Sequence, residues 1–186
     1  MEEINMYLDD AAESMEKAVK HTQQEFTKIR AGKATPSMLD GLYVNYYGSN
    51  TPIGQVANIN TTDARTIVIK PWEKAMLFEI EKAIKNSDLG VNPTNDGEVV
   101  RIVLPPLSEE RRRTLVKQAK SEAENGKISI RNIRKDTNEA LRKLIKEGVP
   151  EDDVKKAETK VQTLTDKFIK QIDDLLEIKE KDIMTI

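Results

Sequence analysis

Apolar side chains recur at steps of three and four along the start of the chain, in the series Ile4, Leu8, Ala11, Met15, Ala18, Thr22, Phe26 and Ile29. That period draws one seam down a helix, and a helix with one apolar seam must bury it against another such element. The helix ends at Arg30-Ala31-Gly32, and Pro36 prevents its resumption because proline has no backbone N–H to give. The same period returns after Leu104-Pro105-Pro106. Ser108 is placed to cap the new helix, with Glu109 and Glu110 in the first turn where the positive end of the helix dipole favours acids. Its seam runs through Leu115, Ala119, Glu122, Gly126, Ile130, Ile133, Thr137, Ala140 and Leu144. Glu122 and Gly126 fit that seam poorly and suggest weak packing there. Gly148 and Pro150 close this helix and open a third, whose seam is Val154, Ala157, Val161, Leu164, Phe168, Ile172 and Leu175.

Three such helices need one another. The short Gly148-Val149-Pro150 connection makes the second and third antiparallel. The first and second should also be antiparallel, because an inserted domain usually leaves and re-enters its host at neighbouring points. The expected host is therefore an elongated three-helix bundle made of residues 1–30 and 105–186.

The segment between has a different texture. Five of the eight glycines (Gly41, Gly48, Gly54, Gly90 and Gly97) fall in residues 33–104, among β-branched residues and tyrosines. Leu42–Tyr47, Gln55–Ile59, Thr66–Lys70 and Val99–Leu104 read as strands, Asn95-Asp96-Gly97 as a turn, and Glu73–Lys85 as a helix carrying Leu77, Ile80 and Ile84. The fold class is α+β, a helical bundle with a small inserted β/α/β domain. Its two connections, Ala31-Gly32 and Leu104-Pro105-Pro106, form a candidate hinge.

Charge separates the long helices from one another. The whole chain is close to balanced at a formal net charge of −2. Residues 108–147 alone carry 12 basic against 7 acidic side chains, a local charge of +5, while residues 1–30 and 148–186 each stand at −3. On the basic helix Arg113, Lys117, Lys120, Lys127, Arg131 and Arg134 follow steps of three, four and seven and should form an outward stripe. Such a stripe is either a solvated face or a surface for the RNA backbone, where guanidinium groups grip phosphates and release condensed counterions. Aromatics make up only 4% of residues and do not interleave with the stripe, which argues against base stacking and for a structured backbone.

Other chemistries find little support. There is no cysteine, so disulfides, thiolate nucleophiles and cysteine-ligated metals are excluded. His21 is the one histidine and has no second base or nucleophile to complete a triad. Gly32-Lys33-Ala34-Thr35 resembles the end of a phosphate loop, but position 27 is Thr where the first glycine of that motif belongs. The acidic pairs Asp9-Asp10 and Asp173-Asp174 and the run Glu151-Asp152-Asp153 suit solvated faces and helix starts better than a cation site. No metal, no cofactor and no catalytic residue is assigned. Trp72 is expected to pack, and Tyr46 and Tyr47 to point to opposite faces of a regular strand. The acidic amino terminus and the lack of a long apolar run lead to the expectation of a soluble cytoplasmic protein without a membrane partner. The competing class for such a chain is a coiled-coil adaptor whose charged helix selects a protein.

Several motifs occur together and in order: Lys28-Ile29-Arg30-Ala31-Gly32-Lys33-Ala34-Thr35-Pro36-Ser37, Tyr46-Tyr47-Gly48, Ser87-Asp88-Leu89-Gly90, Pro105-Pro106-Leu107-Ser108-Glu109-Glu110-Arg111-Arg112, Ile130-Arg131-Asn132-Ile133-Arg134-Lys135-Asp136 and Val161-Gln162-Thr163-Leu164-Thr165-Asp166-Lys167. Across nearly its whole length the chain closely resembles the bacterial ribosome recycling factors. The resemblance implies a monomeric translation factor, not an enzyme, shaped broadly like transfer RNA, with a three-helix stem and a hinged second domain. It implies binding to the large ribosomal subunit and its RNA, and joint action with elongation factor G, which carries the GTP, in separating the subunits and freeing mRNA and tRNA. Carried onto matching positions, it makes Arg131 and Arg134 the leading RNA contacts, with Arg112 and Arg30 after them; Arg113, Lys117, Lys120 and Lys127 come from the stripe. Lys33, Lys127 and Lys135 stand where the family commonly has Arg, which keeps the charge and loses the bidentate geometry.

Overall fold

A computed structural model describes residues 1–185 and divides them into two compact units, Met1–Ala31 with the chain from Ser108 onward, and Gly32–Leu107. The first unit holds three helices, α1 (Glu2–Lys28), α4 (Glu109–Lys146) and α5 (Glu151–Met184). The second holds β1 (Tyr43–Tyr46), β2 (Ser49–Pro52), the single turn α2 (Ile53–Val56), β3 (Ala57–Thr61), β4 (Thr66–Pro71), α3 (Leu77–Lys85), β5 (Pro93–Asn95) and β6 (Val100–Val103). The architecture is α+β, as expected. No helix among the described residues is long and apolar enough to cross a membrane.

In the three-helix unit, α4 runs 38 residues, about 57 Å at 1.5 Å per residue. Its start is capped as the sequence suggests: the Arg111 N–H donates to Ser108 Oγ at 3.1 Å. It ends in a Schellman motif, in which Val149 N–H reaches Leu144 O at 3.0 Å and Gly148 N–H reaches Ile145 O at 3.2 Å. Gly148 takes φ +98°, the left-handed value this cap needs. Val149 then packs beside Ile4, Leu141, Leu144, Val154 and Val161 at this end of the bundle.

The buried seams differ from the sequence reading by one residue in places. On α4 the buried set is Leu115, Ala119, Ala123, Gly126, Ile130, Thr137, Leu141 and Leu144, so Ala123 and Leu141 replace Glu122 and Ala140, and Ile133 is half-buried. On α1 Val19 is buried where Ala18 was expected, and on α5 Thr165 where Leu164 was expected. Thr165 is accommodated because its hydroxyl donates to Val161 O at 2.8 Å within its own helix.

Gly126 overturns the expectation of weak packing. A Cβ placed there would overlap Thr22 Oγ1 and stand 2.9 Å from Ile172 Cδ1. At this glycine α4 lies against Thr22 of α1 and Ile172 of α5, and hydrogen in place of a side chain leaves room for both.

The smaller unit is built on a four-stranded antiparallel sheet in the order β3-β4-β6-β5. β4 and β6 alternate cleanly, burying Ile67, Ile69, Val100 and Ile102 on one face, with Ile67 opposite Ile102 and Ile69 opposite Val100. α3 lays Leu77, Ile80 and Ile84 into the same core. Two strands escape the sequence reading. β5 has only three residues and carries Pro93; β2, Ser-Asn-Thr-Pro, has no apolar alternation. The expected strand from Gln55 begins at Ala57, because Ile53–Val56 closes into one helical turn. Leu104, expected in the linker, is buried in this core, and its N–H donates to Arg65 O at 2.7 Å.

Candidate nucleic-acid interface

The basic helix is α4, and its cations do not share one environment. Lys127 and Arg134 follow Gly126 and Ile133 by one position, a rotation of about 100°, whereas Arg113 and Lys117 precede Leu115 and Ala119 by two, about 200°, and Arg131 returns to the face of Arg113 after about five full turns. The expected outward stripe is therefore partly a flank turned toward α5. Down that flank Lys120 pairs with Glu180 at 3.8 Å, Lys127 pairs with Asp173, and Arg142 pairs with Glu158 at 2.6 Å. Arg134 Nη1 donates to Gln162 Oε1 at 3.2 Å, and Gln162 in turn donates to Asp166 Oδ1 at 2.9 Å. As the position on α4 rises, the partner on α5 falls, so the two helices are antiparallel and zipped along one edge by a polar ladder.

The remaining candidates stay within their own helix or stand clear. Arg131 meets Glu124 at 3.0 Å and Arg113 meets Glu109 at 2.6 Å, both exposed pairs. Lys117 and Arg30 are exposed. Arg112 is half-buried, and its Nε has no hydrogen-bond partner among the described residues. The outer face of α4 thus presents Arg113, Lys117 and Arg131, and the edge beside α5 presents Lys120, Lys127 and Arg134 already engaged. The ladder residues were legible as cations, but their α5 partners lie on a different helix, beyond the reach of any local spacing rule.

At the connection, Gly32 has φ +72°, and a Cβ there would meet Leu107 Cγ at 2.7 Å and Cδ1 at 3.0 Å. The entering and leaving strands of chain are therefore in contact at Gly32 and Leu107. Ala34 N–H donates to Ala64 O at 2.8 Å, and with Leu104 bonded to Arg65 this anchors both connections to the β3–β4 turn. Of the five residues expected to form the hinge, Ala31, Gly32, Pro105 and Pro106 lie outside those anchors.

The secondary candidates resolve as follows. His21 is exposed on α1, with Nε2 4.0 Å from Glu25 Oε1. Among the described residues, no group of three or more His, Asp or Glu side chains is placed to hold a metal ion. Tyr46 and Tyr47 do not point apart: β1 ends at Tyr46, Tyr47 turns to φ +48° and Gly48 to +84°, and both phenols reach the same carboxylate. The two positive φ values are those of a tight primed hairpin turn. Trp72, expected to pack, is 70% exposed.

The family model described as ribosome recycling factor matches residues 22–184. A ribosome-recycling factor of Amoebophilus asiaticus (strain 5a2) is 61% identical over 186 residues, all of both chains, and one of Cytophaga hutchinsonii is 56% identical over the same full length. The chain belongs to the ribosome recycling factor family. This is a family of translation factors, not of enzymes. Among solved structures, a solution structure of the ribosome recycling factor aligns over all of both chains at 38% identity and a TM-score of 0.75. Models of the T. thermophilus ribosome recycling factor and the E. coli elongation factor G bound to the E. coli post-termination complex supply a second neighbour. That recycling factor covers 97% of this chain at 40% identity, with a TM-score of 0.61.

Proposed function

We propose that this protein recycles ribosomes in the cytoplasm: it binds the post-termination ribosome on large-subunit RNA and, together with elongation factor G and the GTP bound to that factor, separates the subunits and releases mRNA and tRNA. The observation that carries the reading is the full-length similarity to ribosome-recycling factors, 61% in one relative. The concentration of cations on α4, in a chain whose total charge is −2, supplies the local attraction that the whole molecule lacks.

In this reading Arg113, Lys117 and Arg131 on the outer face of α4 meet phosphates directly. Lys120, Lys127 and Arg134 reach RNA from the edge beside α5, each exchanging or sharing a side-chain partner as it does so. Arg112 and Arg30 extend the surface toward the ends of α4 and α1. Ala31, Gly32, Pro105 and Pro106 form the hinge, about which the smaller unit turns when the translocase acts. The protein works as a monomer and forms no covalent intermediate; the chemical energy comes from the partner's GTP.

The test is a subunit-splitting assay on post-termination ribosomes. Splitting should require this protein, elongation factor G and GTP together. Splitting that proceeds equally well without this protein, or its absence when all three are present, would overturn the proposal.

A further inference from the structure

The smaller unit carries an arrangement that its core does not explain. Tyr46 donates to Glu73 Oε1 at 2.9 Å and Tyr47 to Glu73 Oε2 at 2.5 Å, so the turn of the β1–β2 hairpin is fastened to the residue that follows Trp72. The two tyrosine rings meet edge to face with centroids 4.8 Å apart. Beside them lies a hollow of about 200 Å³ lined by Tyr46, Thr51, Gln55, Trp72, Glu73 and Met76, among others. Trp72 and Tyr47 are 70% and 73% exposed, although the Trp72 backbone is pinned by its N–H to Val56 O at 3.1 Å.

These are the components of a receptor for an organic cation. A carboxylate offers about four lone-pair sites, and the two phenols occupy two of them. The hydrogen bonds from Tyr47, and then Tyr46, hold the Glu73 carboxyl below its usual range, so it stays ionised in neutral solution. Aromatic faces attract cations through their quadrupole, tryptophan most strongly. No lining residue is basic, and the neighbouring Lys70 and Lys74 are exposed and do not line the hollow. A phosphate-bearing strand would bring its negative charge against Glu73 with nothing to offset it, so the charge favours a basic side chain over stacked nucleotides.

We propose that the hollow between Trp72, Tyr46 and the Glu73 carboxylate is a docking site for a lysine or arginine side chain projecting from a protein partner. The guanidinium or ammonium lies over the indole and bonds the free lone pairs of Glu73, while its methylene stem packs on Met76 and Val56. The inference does not depend on the RNA-binding reading of α4, because the site lies wholly within the smaller unit.

The chain has a single tryptophan, so its indole N–H gives one resolved signal in a ¹H–¹⁵N spectrum of the full-length protein. Titration with N-acetyl-arginine methylamide should move that signal and the Gly48 amide saturably, with a Kd on the order of 10 mM for so small a probe. The neutral isostere N-acetyl-citrulline methylamide should leave both in place. Glu73→Gln should weaken binding by about tenfold. Trp72→Leu, followed through Gly48, should weaken it severalfold, and Tyr47→Phe, which keeps the carboxylate, should change it less than Glu73→Gln. Absence of saturable shifts with the arginine probe, equal shifts with citrulline, or unchanged affinity in a folded Glu73→Gln protein would overturn the proposal. So would tighter binding of a short oligouridylate than of the arginine probe, which would make the platform a base-stacking surface.

Discussion

Thr22 of α1 and Gly126 of α4 meet so closely that one methyl group on the glycine would overlap the threonine hydroxyl. The hydroxyl is not free to swing away without cost, because it donates to Ala18 O at 3.0 Å. Ile172 of α5 closes the other side. Gly126→Ala would gain about 1 kcal/mol of helix propensity at an open site, but here overpacking of about 1–3 kcal/mol opposes it. The net expectation is a lower midpoint in urea unfolding, by an amount equivalent to up to about 2 kcal/mol. Adding Thr22→Ala should recover most of that loss, so the two changes should couple favourably in a double-mutant cycle. A more stable Gly126→Ala protein would contradict the close approach.

Gly32 is constrained twice, by its φ of +72° and by Leu107 Cγ 2.7 Å from where a Cβ would stand. Gly32→Ala should therefore destabilise the smaller unit by more than the ~1–2 kcal/mol that left-handed backbone alone costs a residue with a side chain. Gly41→Ala, at φ +83° with open space around it, should show the backbone cost alone. Leu107→Ala should relieve the Gly32→Ala variant only in part, since the backbone strain remains. Chemical denaturation of the four variants separates the two contributions.

The Glu73 staple has a definite pH dependence. Hydrogen bonds from Tyr47 and Tyr46 lower the Glu73 carboxyl, so its contribution is present above the unfolded carboxylate range and is lost as pH falls through the lowered folded value. The same bonds raise both phenols, so their contribution is present below the ordinary tyrosine range and disappears as pH rises through the raised value. The Tyr46 and Tyr47 ring resonances should hold steady across neutral pH and move at both extremes. In Glu73→Gln the acid-side movement should vanish. Persistence of the acid transition in that variant would assign it to another carboxylate.

The α4–α5 ladder should contribute modestly to folding. Lys127, whose side chain is only 19% exposed, is better sheltered than Lys120 or Arg142. A double-mutant cycle of Lys127→Ala with Asp173→Ala should give a coupling of about 0.5–1 kcal/mol, shrinking as salt is added. No coupling at low salt would show that the contact does not persist in solution.

Much of this organisation was readable from residue spacing. The helical period of the three seams, the Ser108 cap and the Gly148 stop follow from local rules that the structure obeys, although Val19, Ala123, Leu141 and Thr165 each sit one position from the expected seam residue. Elements governed by distant partners were not readable. β2 has no apolar alternation and forms because Tyr47 and Gly48 turn the chain back on β1. Gly126 looked like a flaw because its benefit lies in the room it leaves for Thr22 of α1 and Ile172 of α5, which no local window contains. The basic residues of α4 could be placed on a helix, but the choice between a solvated stripe and a ladder depended on Glu158, Asp173 and Glu180 of α5. Trp72 looked like core from its type alone; its exposure follows from the end of β4 at Pro71, which leaves its side chain beyond the sheet.

The central claim is that α4 holds ribosomal RNA through its cations. Its most direct test is the affinity of the intact protein for isolated large ribosomal subunits across a salt series, compared with Lys117→Ala and with His21→Ala on the exposed face of α1. The account predicts a linear fall of log K with log salt concentration. Lys117→Ala should weaken binding and reduce the magnitude of that slope by about one, while His21→Ala should leave it unchanged. Binding indifferent to salt, or a Lys117→Ala slope equal to that of the unmodified protein, would contradict it.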